Sequence, residues 1–301
     1  MFSNFFFIYF PVAEIQLSVF MVLLIGFVSG IFAGFLGIGG GFISTPLLTL
    51  IGVPPSVAVA TSAHQIVGTS FSGILPRIKP KKVDFKLGFI LAISGLFGSY
   101  IGAYVFSFFS DNGNIDSIIS LMYLVLMTII SLLNFKLYFF KKKQDKEFKT
   151  KLNILMTYFP TSQVYCSALI PICFGILTGF LVVMMGVGGG FILVPMMIFV
   201  MKINNEIAIG TSLLQILLIT IAIVLFHIFK TEMLDLLLGT FLILGSAFGS
   251  QISSILSFKI AKKRITYLLL AILTLLVACN FGLKLFFTSK SSILIQEYYD
   301  K

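Results

Sequence analysis

A chain of 301 residues with 58% hydrophobic and only 11% charged residues, and a mean hydropathy of +1.08, lies outside the range of soluble globular domains. Its formal net charge of +10 would suit a nucleic-acid partner in a soluble protein. Here the basic residues gather in loops between apolar runs, which points to the lipid bilayer as the partner and away from nucleic acid.

Apolar runs of about 20 residues, the length that crosses a hydrocarbon core at about 1.5 Å per residue, recur along the chain, while the short alternating strands of a β-barrel are not seen. The expected fold is an all-α integral membrane protein. Residues 1–13, MFSNFFFIYFPVA, lack the basic start of a secretory signal and are broken by Pro11, so they read as part of the mature chain. Hydrophobic segments follow near 14–37, 41–52, 55–76, 84–109 and 115–140. A charged stretch, KLYFFKKKQDKEFKTK, ends the first half at residues 136–151. The second half gives segments near 160–186, 190–201, 205–229, 233–257 and 265–287. Five segments in each half divide the chain into a first transmembrane repeat (1–140), a basic cytoplasmic linker (141–151) and a second repeat (152–301). Cys166, Cys173 and Cys279 form no metal-ligand or disulfide pattern and read as small packing residues.

Three collinear blocks show the repeat. Gly37, Gly39, Gly40, Gly41, Phe42, Ile43 and Pro46 recur as Gly186, Gly188, Gly189, Gly190, Phe191, Ile192 and Pro195. AVATSAHQ (58–65) is answered by AIGTSLLQ (208–215). Asp84, Gly88, Phe97, Gly98, Ser99 and Ile101 recur at the same spacing as Asp235, Gly239, Phe248, Gly249, Ser250 and Ile252. Charge then orients the halves. The loop at 77–86 holds five basic residues, the charged stretch at 136–151 seven and the loop at 259–264 four, of the chain's 21, which places all three in the cytoplasm. The acidic loop SDNGN at 110–114 then lies outside, and so do both termini. The basic loop at 77–86 corresponds to a nearly uncharged turn around 230, so equivalent loops face opposite sides: an inverted-topology repeat, the arrangement of many secondary transporters.

The segments at 41–52 and 190–201 reach only about 17 Å, little more than half a hydrocarbon core. Each is a half-helix opened by a glycine run. A glycine turn permits positive φ and close approach to the backbone, and a helix N-terminus offers unpaired N–H groups and the positive end of its dipole. An anion fits there. Candidate substrate contacts are therefore Gly39, Gly40, Gly41, Gly188, Gly189 and Gly190. To these are added Thr61, Ser62, Gln65, Thr211, Ser212 and Gln215, hydroxyls and amides that donate without placing a full charge in the membrane. The competing reading makes the glycines helix-packing residues. His64, deep in its segment, is a candidate for proton coupling, with Leu214 as its counterpart. His227 reads as interfacial, and Asp84 and Asp235 as helix N-caps with room for a gating role. No metal site, cofactor site, nucleotide motif or catalytic constellation is expected, so the chain does not read as an enzyme.

The doubled GxGGGFIxxP, the paired Thr-Ser-x-x-Gln and the late Phe-Gly-Ser, over nearly the whole chain, resemble the TauE/SafE-type sulfite exporter family of membrane permeases. The resemblance implies a secondary transporter in the cytoplasmic (inner) membrane that moves a small anion, in the first place a sulfur-containing oxyanion such as sulfite or an organosulfonate. Another small anion such as a carboxylate, or a non-transporting scaffold, are the alternatives, and a homo-oligomer is left open.

In a background lacking the native cysteines, single cysteines at Gly113 and Lys230 are expected to label from outside. Those at Lys82, Gln144 and Lys262 should label only after permeabilisation. Labelling of positions 82 and 230 from one side would overturn the inverted arrangement.

Overall fold

The computed structural model describes residues 7–139, 156–257, 274–279 and 281–282. The first half runs β1 (Phe7–Phe10), β2 (Ile15–Ser18), α1 (Val19–Leu36), α2 (Gly41–Leu50), α3 (Pro55–Ile78), α4 (Phe85–Asp111) and α5 (Ile115–Phe139). The second runs β3 (Met156–Phe159), β4 (Val164–Ser167), α6 (Leu169–Met185), α7 (Gly190–Phe199), α8 (Asn205–Phe226), a π turn (His227–Thr231) and α9 (Leu236–Ser257). Among the described residues five helices are long and apolar enough to cross a membrane, α1, α4, α5, α8 and α9. The 24-residue α3 is not among them, because Thr61, Ser62, His64, Gln65, Thr69, Ser70, Ser72 and Arg77 lower its hydropathy. The expected linker at 141–151, the basic loop at 259–264 and most of the segment at 265–287 lie outside the described residues.

The chain forms two compact units, residues 1–109 with 148–260, and residues 110–147 with 261–301. Helices of both sequence halves interlock within the first. In the second, Tyr123 of α5 stacks on Phe281, centroids 4.7 Å apart.

Small residues bring the helices of the first unit together. Gly26 and Gly30 of α1 face the carbonyls of Leu242 and Ser246, and Gly245 and Gly249 of α9 face those of Leu23 and Phe27. The equivalent pair, α4 with α6, meets through Gly98 on the Ile176 carbonyl and Gly179 on the Gly95 carbonyl. A Cβ at any of these positions would overlap the facing carbonyl, so the helices owe their close approach to its absence. These contacts rise together along both chains, so α1 runs parallel to α9 and α4 to α6. The repeat-equivalent α3 and α8 run antiparallel: Ile66 and Ile216 flank Gly39, Leu213 lies by Gly73, and Lys82 beyond α3 pairs at 2.7 Å with Glu206 in the first turn of α8. Contacts are accordingly reciprocal. The Asp84 N–H donates to Thr211 Oγ1 at 3.0 Å, and the Asp235 N–H to Thr61 Oγ1 at 3.3 Å.

Two expectations change. The segments beginning at 14 and 160 start as β-hairpins, with helices only from Val19 and Leu169. In the first, Phe7 pairs with Ser18 and Phe10 with Ile15; in the second, Met156 pairs with Ser167 and Phe159 with Val164. Both turns place a residue at φ 54°, Glu14 and Gln163. Tyr-Phe-Pro at 9–11 and at 158–160 is thus a fourth repeated block. His227 is not interfacial but wholly buried, its ring centroid 5.1 Å from that of Phe106 and its Nδ1 3.0 Å from Thr231 Oγ1.

The two buried aspartates tie the hairpins down. Asp235 Oδ1 accepts from the Leu238 N–H at 2.9 Å, capping α9, while Oδ2 accepts from the N–H groups of Val12 and Ala13 at 3.1 and 3.3 Å. Asp84 Oδ1 caps α4 at Leu87, 3.1 Å, and Oδ2 accepts from Ser162 N and Oγ at 3.0 and 2.7 Å. Each carboxylate caps its own helix and holds the hairpin of the other half. Asp84→Ala and Asp235→Ala should each cost roughly 2 kcal/mol or more, a lost cap plus buried donors left unpaired. Thermal unfolding in detergent measures this, with Asp→Asn at either position expected to lose less.

Candidate functional site

Helix α1 ends at Gly37 (φ 70°) and α6 at Gly186 (φ 63°), left-handed caps whose N–H groups return to Ala33 O and Val182 O. The chain then reverses through Gly39 and Gly40 (φ 88° and 86°) or Gly188 and Gly189 (φ 65° and 69°) before α2 and α7 begin. Gly41 and Gly190 are glycine for a different reason. A Cβ at Gly41 would overlap the Gly186 carbonyl oxygen, and one at Gly190 the Gly37 carbonyl oxygen. The two turns therefore lie directly on each other, with the Phe42 and Phe191 ring centroids 6.1 Å apart beside them.

This arrangement leaves donors over. The N–H groups of Ile43 and Ser44 return to Gly40 O, and those of Ile192 and Leu193 to Gly189 O. Among the described residues the N–H groups of Gly39, Gly40, Gly41 and Phe42 have no protein acceptor, nor do those of Gly188, Gly189 and Phe191. All seven residues are buried. Buried backbone donors are nearly always paired, and these seven stand at the positive ends of two helices, the electrostatic setting that holds an anion.

Side chains complete the cluster. Gln65 Nε2 donates to Ser29 Oγ at 2.5 Å, and Gln215 Nε2 to Thr178 Oγ1 at 3.4 Å. Both glutamine Oε1 atoms are buried without a partner. Turning either amide would present its NH₂ to a ligand, with the neighbouring hydroxyl donating to Oε1 instead. Ser29 and Thr178 adjoin the turns: a Cβ at Gly40 would lie 3.5 Å from Ser29 O, and one at Gly189 3.0 Å from Thr178 Cβ. A glycine turn, a glutamine and a hydroxyl thus form one unit, present twice.

Not every expected residue joins it. Ser212 Oγ donates to Gly37 O at 2.9 Å, and Ser62 Oγ takes the hydroxyl of Ser44 at 3.2 Å, so both buttress the turns. Thr61 and Thr211 face away, held by the N–H groups of Asp235 and Asp84. His64 packs its ring on Gly239 of α9, with Nδ1 unpartnered. Ser29, Thr178, Thr45 and Arg77 were not expected. The pair Ser29 and Thr178, each eight residues before a capping glycine, carried a repeat signal. Thr45 Oγ1, also unpartnered, lies 3.3 Å from where a Gly186 Cβ would stand. Arg77, expected in a basic loop, is the last buried turn of α3 and donates from Nη2 to Gly34 O at 2.6 Å.

A family model described as sulfite exporter TauE/SafE matches residues 22–281. "Probable membrane transporter protein YunE" of Bacillus subtilis is 28% identical over 277 residues, 88% of this chain and 97% of its own length. "Probable membrane transporter protein YjnA" of the same organism is 26% identical over 256 residues, 84% and 95% of the two chains. "Sulfite exporter TauE/SafE family protein 3" of Arabidopsis thaliana is 31% identical over 80 residues, 27% of this chain and 17% of that one. No solved structure matches.

Proposed function

The chain belongs to the sulfite exporter TauE/SafE family of membrane transporters, and on that premise we propose that it is a secondary permease for a small sulfur-containing oxyanion, sulfite or an organosulfonate. The observation that supports this most is the set of buried, unpaired N–H groups where the two glycine turns meet. An oxyanion there would take hydrogen bonds from both halves, from Gly39, Gly40 and Gly41 on one side and Gly188, Gly189 and Phe191 on the other, the Gly190 N–H being held by Gly188 O at 2.9 Å. Gln65 and Gln215 would supply further donors.

In this reading the protein is a multi-pass protein of the cytoplasmic membrane with its halves inverted. The antiparallel course of the equivalent helices α3 and α8 supports this reading, since a two-fold axis relating them would lie perpendicular to them and so in the plane of a bilayer they cross. Opening and closing then amount to rocking one half against the other about the shared turns. The N–H cradle recognises charge and oxygen geometry; the preference for sulfur comes from the family. His64, a half-buried imidazole whose Nδ1 is buried without a partner, is the candidate for proton coupling.

Sulfite affinity of the purified protein tests the site. Gln65→Leu and Gln215→Leu should each weaken binding roughly 10- to 150-fold, since a hydrogen bond to a charged group is worth about 1.5 to 3 kcal/mol and each 1.4 kcal/mol is tenfold. Because the site is shared, the double variant should be less than additive. Parental affinity in both folded variants would remove the glutamines from the site, and preference for acetate or succinate over sulfite would turn the reading to carboxylates.

A further inference from the structure

The halves share their helices but not the lining of one face. On α3, Gln65, Thr69, Gly73 and Arg77 follow at intervals of four and so share a side, spanning about 18 Å at 1.5 Å per residue. All are buried, and hydroxyls from α9 accompany them. Thr69 Oγ1 donates to Ser246 Oγ at 2.7 Å, Ser250 Oγ to Thr69 O at 2.9 Å, and Ser254 Oγ to Gly73 O at 3.2 Å. The file starts beside the first glycine turn, where a Gly40 Cβ would lie 3.4 Å from Thr69 Cγ2. It ends at the Arg77 guanidinium on the last turn of α1. At its head stands the unpartnered Oε1 of Gln65.

The matching positions of α8 are Gln215, Ile219, Ile223 and His227. Ile219 and Ile223 are 0% and 1% exposed. Where Thr69 bonds Ser246, Ile219 packs on Gly95. His227 sits among Phe106 and Phe226. Helix packing does not require the hydroxyls, because α4 and α8, the counterparts of α9 and α3, meet through Ile219 on Gly95 and Leu214 on Gly88. The second half is an internal control for the first.

We propose, resting on the anion-permease reading, that the α1, α3 and α9 face from Gln65 to Arg77 lines one half of the anion's path, between the glycine turns and the cytoplasm. Arg77 is the fixed charge that selects anions there, and Ile219 with Ile223 form an apolar gate on the opposite half. A buried guanidinium within a membrane helix bundle is costly and marks an ion path more often than a packing site. A constriction walled by isoleucines passes an ion only when the helices part and water enters. The antiparallel course of α3 and α8 puts the polar stretch and the gate on opposite sides of the turns, so the two halves divide the labour of access and closure.

The test is thiol accessibility in a cysteine-free background, in vesicles of either orientation, with an anionic and a cationic methanethiosulfonate as probes. Cysteines replacing Thr69 or Ser250 should react with the anionic reagent from the cytoplasmic face at least about tenfold faster than those replacing Ile219 or Ile223 from either face, the low end of what a charge-lined cleft gives. Arg77→Gln should abolish the preference for the anionic reagent, and Arg77→Lys should keep it. Equal rates at the four positions in folded protein, or a charge preference indifferent to Arg77→Gln, would overturn the proposal. If Arg77→Gln fails to fold, the four rates decide. The probes do not depend on sulfite being the substrate. Failure here leaves binding at the turns standing, and failure of sulfite binding leaves the path standing for another anion.

Discussion

A helix that stops partway leaves N–H and C=O groups that lipid cannot satisfy, so a broken helix in a membrane protein must be wrapped in protein or face a polar ligand. The rest of the fold follows from meeting that demand twice in one place. Two α-helices end at left-handed glycines, two short helices begin four residues later, and the turns rest backbone on backbone with Gly41 against the Gly186 carbonyl and Gly190 against that of Gly37. Gly37 O finds a donor in Ser212, whereas seven amides of the two turns find no acceptor among the described residues, an imbalance that would suit the turns to an anion.

Reciprocal bonds between the halves hold this contact in place. Each half supplies the cap for one of its own helices and the anchor for the other half's hairpin through Asp84 and Asp235, and each threonine of the Thr-Ser-x-x-Gln block receives the amide of the opposite aspartate. A movement of one half is therefore felt at the hairpin, the helix start and the turn of the other together. Symmetry stops at the side chains below the turns. There the first half carries hydroxyls and an arginine, and the second isoleucines and a caged histidine.

Much of this was legible in the sequence because it is written in repetition and length. The glycine turns, the half-helices and the paired glutamines all stand where their spacing placed them. The hairpins were not legible: four-residue strands such as FIYF and VYCS adjoin apolar helices, so no change of period separates them. Arg77 was assigned to a loop because a cation near a helix end next to four lysines reads as solvated; only the fold shows it buried against Gly34. Ser29 and Thr178 are single hydroxyls in apolar helices, the commonest kind of packing residue. Thr61 and Thr211 were grouped with Gln65 and Gln215 as uncharged donors in one block, but their partners, more than 120 residues away in the chain, draw them to the aspartates.

The central claim is that the turn amides hold the anion. Selective ¹⁵N-glycine labelling with amide NMR in detergent tests it most directly. On titration with sulfite, the amide protons of Gly39, Gly40, Gly41, Gly188 and Gly189 should move downfield together with one dissociation constant, while Gly52 and Gly113, in exposed or open loops with nothing near them, stay in place. Saturable sulfite binding that leaves the turn glycines unmoved would contradict the account.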